Sequence, residues 1–302
     1  MIKNIIEALR PSQWIKNLAL LASIILNGKL FDINILQKAL TGFVVFCILS
    51  SASYLINDII DLPKDQLHPH KKNRPIARGD ISVRLGFLIS FILLVTGLYL
   101  AFQLNINFFM ISILFISLQF MYSLFIKRKA ILDIVVIALF FIIRAYAGEM
   151  ATGFHLPVWI MLTVIFLSIF IAAGKRRSEL VNVGKNIRQS MSGYGKTLLN
   201  FYITMFGVCT LMSYAMFTFF EEKITFDGIF HKYIIQYLPQ ALDRKWYMVT
   251  LIPVIFGIMR YGQVIFEMEE GERPERVIAT DIPLLLSVLT WGLMLITLIY
   301  VL

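Results

Sequence analysis

The sequence predicts an all-α, polytopic membrane protein of about nine transmembrane helices, forming one integral domain over residues 1–302. Hydrophobic residues make up 58% of the chain and charged residues 16%, and the mean hydropathy is +0.76. A water-soluble globular domain does not normally carry such values. The apolar residues gather in stretches of roughly 20, the length an α-helix needs to cross the hydrocarbon.

Taken in order, the start, Met1 to Arg10, reads as an interfacial helix with Ile2, Ile5, Ile6 and Leu9 on one face. Nothing in it has the pattern of a removed signal peptide. Spans are then expected near 12–31, 37–57, 83–102, 105–126, 130–151, 156–173, 198–220, 246–265 and 281–301. The first is the least regular, because Trp14, Lys16 and Asn17 interrupt its start and Asn27, Gly28 and Lys29 its end. Cys47 and Cys209 both fall within spans, so they read as packing residues and not as a disulfide or a thiolate metal site.

Orientation follows from the basic residues. Of the 28 Lys and Arg, 21 fall in the connections on one side, six on the other, and Arg144 lies inside a span. The richer side is expected to be cytoplasmic, with the N-terminus and every chemically suggestive cluster on it. That distribution also accounts for the net charge of +9 without a nucleic-acid partner.

The sharpest cluster is Asn57, Asp58, Asp61 and Asp65, at the end of the second span. Helical spacing places Asn57, Asp58 and Asp61 on one face, where oxygen ligands can hold Mg²⁺ against a diphosphate. Pro63 should end or kink the helix, leaving Asp65 at its exit. A solvated helix end is the competing reading, but intramembrane charge is costly and usually functional. The loop that follows, HPHKKNRPIAR, supplies His68, His70, Lys71, Lys72, Arg74 and Arg78. A polybasic patch on anionic lipid would look similar. Guanidinium groups next to acids favour phosphate, because each can donate two parallel hydrogen bonds. The other two His residues, His155 and His231, are remote, which argues against a transition-metal site.

A second cluster comprises Lys175, Arg176, Arg177 and Glu179, continuing to Lys185, Arg188, Tyr194 and Lys196. Glu179 shares a helix face with Lys175 and Arg176, which a simple positive-inside stop does not require. Asp133 and Arg144 lie in the fifth predicted span and need partners or a polar cavity, and a direct pair across three turns is doubtful. Tyr122 and Lys127 flank the fourth span, and Arg10, Trp14, Lys16 and Asn17 form an interfacial group near the start. In the acidic stretch from Glu267 to Asp281, Glu275 and Asp281 are the residues to test.

The string NDIIDLPKD resembles the first aspartate motif, N-D-x-x-D-x-x-x-D, of the UbiA superfamily of intramembrane prenyltransferases. The resemblance implies helices bundled around a central cavity, with the aspartates at its cytoplasmic end. The second half departs from the usual pattern: GKRRSEL stands where such enzymes carry a second aspartate motif. That departure is similar to the decaprenyl-phosphate phosphoribosyltransferase branch. Its hallmarks match LRPSQWIKN at Leu9–Asn17, YLINDIIDLPKDQLHPHKKNRPIARG at Tyr54–Gly79, LDIVVIALFFIIRAYAGEMATG at Leu132–Gly153 and AGKRRSEL at Ala173–Leu180.

The resemblance implies a 5-phosphoribosyl 1-diphosphate donor, a polyprenyl phosphate acceptor, and a role in making arabinose donors for cell-envelope glycans in a bacterial plasma membrane. It implies that Asp58, Asp61, Asn57 and Asp65 bind Mg²⁺, that Arg74 and Arg78 bind the diphosphate, and that Lys175 and Arg176 bind the 5-phosphate. Lys16, Lys127 or Arg144 would steer the lipid phosphate, with Lys16 and Arg144 counted with Asp58 and Asp61 as catalytic. Asn17, Lys71, Tyr122, Glu179 and Tyr194 complete the expected substrate contacts. A homo-oligomer is compatible with this reading. Two rivals remain: an aromatic prenyltransferase that uses a polyprenyl diphosphate, disfavoured by the missing second motif, and a transporter, for which no inverted repeat is evident.

Overall fold

The computed structural model describes residues 2–67, 71–183, 193–221, 237, 244–272 and 274–301. Every regular element among these residues is helical. Eight helices are long and apolar enough to cross a membrane: Ile33–Ile60, Val83–Leu104, Ile106–Arg128, Leu132–Thr152, Val158–Asn182, Lys196–Phe220, Trp246–Met268 and Ile282–Tyr300. They correspond to the second through ninth predicted spans.

The first predicted span is built differently. Helix α1, Ile2–Leu9, ends at Arg10, whose φ of +55° turns the chain, and Pro11–Leu21 follows as a 3-10 helix before the short α2, Ala22–Leu26. Gly28, at φ +67°, closes the segment. Pro11 sits in the first turn, where its missing N–H costs nothing. A 3-10 helix rises roughly 2.0 Å per residue, so this segment extends nearly as far as the ~30 Å hydrocarbon core with fewer residues than an α-helix needs.

The chain divides into two compact units, Met1–Ile24, Lys29–Val136 and Phe140–His155 forming the first. Here α3 (Ile33–Ile60) packs against α5 (Val83–Leu104), α6 (Ile106–Leu124) and the 3-10 segment. The short α4, Leu62–Asp65, continues from α3, and α7 spans Leu132–Thr152. Short polar side chains start the helices. Asp32 accepts from the backbone N–H groups of Asn34 and Ile35, Ser82 from Leu85 and Asn105 from Phe108. The unit's core is built from Leu20, Phe46, Leu49, Phe108, Phe115 and Phe140. A smaller group, Ala8, Leu55, Ile76 and Ile81, fastens α1 and the loop after α4 to the same end of α3.

Gly148 of α7 lets the 3-10 segment come close. A Cβ built there would lie 2.1 Å from the Leu20 carbonyl oxygen, a backbone atom that cannot rotate away. Gly148→Ala should therefore destabilise the protein by about 1–3 kcal/mol, the usual cost of overpacking. A thermal melt in detergent checks this, and an unchanged midpoint would show that the two backbones separate freely.

In the second unit, which includes Leu156–Leu302, α8 (Val158–Val183) packs along α9 (Lys196–Phe220), and α10 (Leu251–Gln263) packs along α12 (Ile282–Tyr300). The buried Tyr214 hydroxyl joins three elements: it lies 2.6 Å from Thr250 Oγ1 and accepts from Trp291 Nε1 at 2.7 Å. After α10 the helix widens into a π-helical turn, Val264–Met268, and α11, Pro274–Thr280, leads to α12. Asp281 caps α12 through the Leu284 N–H and pairs with both ends of the Arg260 guanidinium, at 3.1 and 2.7 Å. Those hydrogen bonds hold its carboxyl below the usual carboxylate range. Its observed role is therefore to start a helix.

Candidate functional site: an acid and base cluster at the end of α3

Three carboxylates and an amide leave the last turns of α3 and the turn of α4. The backbone stays close to helical through Pro63: Asp61 N–H donates to Asn57, and Lys64 and Asp65 N–H both donate to Asp61. The proline falls in the first turn of α4, so the expected break is only a change of helix. Asp65 consequently does not hang at the exit. It is buried, 3% exposed.

The single face expected for Asn57, Asp58 and Asp61 resolves into two. Four residues apart, Asn57 and Asp61 both accept from Lys127 Nζ, at 3.3 Å for Asn57 and at 2.6 and 2.8 Å for the two Asp61 oxygens. Seven residues apart, Asp58 and Asp65 share Arg74 Nη1, at 3.0 and 2.5 Å. The same Asp58 oxygen also accepts from Arg10 Nη2. Burial pushes the Asp65 carboxyl up, and Arg74 and Lys71 oppose that shift. A cavity of about 210 Å³ opens here, lined by Glu7, Arg10, Asp58, Asn73 and Arg74.

Of the cations that the sequence singled out, Arg74 and Lys127 reach the motif's acids and Arg78 does not, while Arg10 reaches them although its spacing gave no sign of it. Arg78 is 42% exposed and contacts Asp80, at 2.7 Å from Nε and 2.5 Å from Nη2, with Glu7 at 3.5 Å and the Asn73 carbonyl at 3.2 Å, and among the described residues it makes no contact to Asp58, Asp61 or Asp65. Lys127, one of three cations expected to steer the lipid phosphate, pairs with Asp61. Arg10, grouped in the sequence with membrane anchors, reaches Asp58 from 48 residues away. The LRPSQWIKN string contained the signal, but spacing along the chain could not show what Arg10 touches. Its neighbour Trp14 donates to Ser51 Oγ at 3.0 Å, so it serves as a joint to α3 as well as a membrane-side aromatic.

Deeper in the first unit lies Arg144, 3% exposed. Its Nε donates to Asn17 Oδ1 at 2.7 Å and its Nη1 to the Phe140 carbonyl at 2.8 Å, while Phe115 and Phe141 lie 4.9 and 5.8 Å from it. Asn17 donates in turn to Cys47 Sγ at 3.3 Å. Two residues that the sequence singled out separately, Asn17 and Arg144, are thus in direct contact, and the hydrogen bonds of Arg144 go to an amide and a carbonyl. Lys16 donates to Gln13 at 2.5 Å, Tyr122 sets its ring against Phe140, and Lys71 begins a short exposed 3-10 turn.

In the second unit, Arg176 is 1% exposed and pairs with Glu179, three residues on. Arg177 donates to Asn200 of α9 at 2.9 Å and to the Ile265 carbonyl of the π-helical turn at 2.6 Å, with Phe266 beneath it. Lys175 shares the end of α8, and Tyr194 is buried just before α9. Lys185 and Arg188, like His68 and His70, lie outside the described residues.

Asp58, Asp61, Asp65 and Asn57 offer only oxygen donors, the chemistry that Mg²⁺ prefers. Among the described residues no three acids converge into a closed metal site. Mg²⁺ does not require one, since it typically takes one or two carboxylates and completes its shell with water and substrate phosphates. Asp58 and Asp65 already share one cationic nitrogen, that of Arg74, so the donor set fits an ion held by one or two carboxylates.

These features define an integral membrane protein of helices with a buried acid and base cluster at one end of a spanning helix. The chain belongs to the UbiA prenyltransferase family, whose model matches residues 18–278. It is 33% identical to the decaprenyl-phosphate phosphoribosyltransferase of Mycolicibacterium smegmatis, covering 96% of this chain and 91% of that protein. It is 30% identical to the enzyme of the same name from Corynebacterium glutamicum, over 99% of this chain and 87% of that protein. In fold it is similar to a UbiA homologue from Archaeoglobus fulgidus bound to DMAPP and Mg²⁺, with a TM-score of 0.66, 20% identity and coverage of 97% and 99%. A digeranylgeranylglyceryl phosphate synthase structure gives a TM-score of 0.68 at 19% identity, over 100% of this chain and 99% of that one.

Proposed function

We propose that the protein transfers the 5-phosphoribosyl group of 5-phosphoribosyl 1-diphosphate to a polyprenyl phosphate, releasing diphosphate, with Mg²⁺ as its cofactor. The observation that carries this reading is the 30–33% identity to decaprenyl-phosphate phosphoribosyltransferases over nearly the whole chain. The bond from ribosyl C1 to the diphosphate oxygen breaks, and one from C1 to a lipid phosphate oxygen forms. The acceptor is already anionic at neutral pH, so no residue has to take a proton from it.

Asp58, Asp61, Asp65 and Asn57 are the residues that would hold Mg²⁺, which when bound lowers the charge that the diphosphate carries away. Arg74, already placed between Asp58 and Asp65, is positioned to donate to diphosphate oxygens. Lys127 holds Asp61 in place through both carboxylate oxygens. Arg144, steadied by Asn17, supplies a buried cation for the acceptor phosphate. Assignment of Lys175, Arg176, Glu179 and Tyr194 to the donor's 5-phosphate rests on the family resemblance. Catalysis on this reading is alignment plus electrostatic stabilisation of an oxocarbenium-like ribosyl centre. The excess of cations on one side favours a cytoplasmic site in a bacterial plasma membrane.

The test uses purified protein in detergent with labelled 5-phosphoribosyl 1-diphosphate, polyprenyl phosphate and Mg²⁺. A labelled lipid should form, disappear on chelation and return when Mg²⁺ is restored. Failure to form it, with turnover of a prenyl diphosphate and a hydroxybenzoate instead, would overturn the proposal.

A further inference from the structure

We propose that Arg10 is a ligand of the donor's diphosphate, parked on Asp58 until a metal-bound diphosphate arrives and then exchanged from carboxylate to phosphate. The inference rests on the proposed function and extends it to a residue outside the aspartate motif.

Two guanidinium groups, from Arg10 and Arg74, meet on one oxygen of Asp58. Arg74 also holds Asp65, so two cations balance two acids. If Asp58 and Asp65 turn to a divalent ion, both guanidinium groups lose their anion at once, and each exposes donors suited to phosphate oxygens. The incoming diphosphate supplies those oxygens. Each ion changes partner and none is left bare. The cavity of about 210 Å³ lies where that exchange would occur, since Arg10, Arg74 and Asp58 all line it.

The backbone presents Arg10 deliberately. Its φ of +55° is left-handed, which residues other than Gly, Asn or Asp seldom adopt unless their surroundings hold them there. Both flanks are fastened: the Leu9 carbonyl accepts from Ser51 Oγ at 2.9 Å, and the Arg10 carbonyl accepts from Gln13 N–H, also at 2.9 Å. The guanidinium lies over the Tyr54 ring, 5.2 Å from its centre. A cation that merely decorated the membrane surface would need none of this.

The test is calorimetric titration of the full-length protein with magnesium diphosphate, and separately with polyprenyl phosphate. Arg10→Gln should weaken diphosphate binding at least tenfold. Arg10→Lys, which keeps the charge but not the fork, should fall between it and wild type. Acceptor binding should stay the same in all three, and in turnover the donor KM should rise for both variants. Equal diphosphate affinity in Arg10→Gln and wild type would overturn the inference and leave the proposed function standing, as would equal loss of both ligands, which marks a folding role. Should Arg10→Gln not fold, Arg10→Lys alone decides: wild-type diphosphate affinity rejects the inference, and a selective loss supports it. Absence of diphosphate binding by the wild type would overturn the proposed function itself, and the inference with it.

Discussion

Asp58→Asn should lower turnover by about 10³-fold, equivalent to about 4 kcal/mol of transition-state stabilisation, while the protein still reaches the membrane and melts cooperatively. The carboxylate is 2% exposed and accepts from both Arg10 and Arg74. An amide of the same shape keeps an acceptor for these donors but surrenders the charge that a divalent ion needs. Asp61→Asn should have a comparable effect for a different reason, because it leaves Lys127 with only amide oxygens from positions 57 and 61. The measurement is initial rate at saturating donor across a Mg²⁺ titration. For a metal ligand, excess Mg²⁺ should recover part of the loss. Full activity in both variants would show that the metal is held elsewhere.

Much of this arrangement was legible before any coordinates. Eight spans stand out because runs of apolar residues about 20 long have no other stable place than a bilayer. Segment 12–31 was harder. Its length suggested an α-helix, yet Pro11 and the polar side chains that follow favour a 3-10 path, and hydropathy cannot distinguish the two. At the site, the acids were visible as a motif, but their partners were not. Arg10 lies 48 residues from Asp58 and Lys127 lies 66 from Asp61, distances that only tertiary packing closes. Pro63 reads in the sequence as a stop that leaves Asp65 at the helix exit. In the fold it occupies the first turn of α4, where a missing N–H is harmless, and the helix carries Asp65 inward to Arg74. Arg78 turns to Asp80, two residues on, a local contact that spacing from the acids does not show.

Arg144→Met should abolish most acceptor use while leaving the fold as stable as before, or more so. A buried cation bears a desolvation cost that only an anion fully repays, and replacing such an ion with an apolar residue of similar size is often neutral or stabilising. Around Arg144 the described contacts are the Asn17 amide, the Phe140 carbonyl and two aromatic faces, with no carboxylate. Among the described residues, then, no acid contacts this expensive charge. Met occupies the space beside Phe115 and Phe141, and the remaining loss is the hydrogen bonds to Asn17 and to the Phe140 carbonyl, about 1 kcal/mol each. A phosphate-binding role predicts at least a 100-fold fall in kcat/KM for polyprenyl phosphate, about 2.7 kcal/mol, with little change in donor KM. Arg144→Lys should recover little, because a single ammonium cannot reach Asn17, the Phe140 carbonyl and a phosphate together. A melt together with kinetics in both substrates separates the alternatives. Lower stability with normal acceptor kinetics would make Arg144 a packing residue, whereas retained stability with selective loss of the acceptor is what a charge held for a substrate must give.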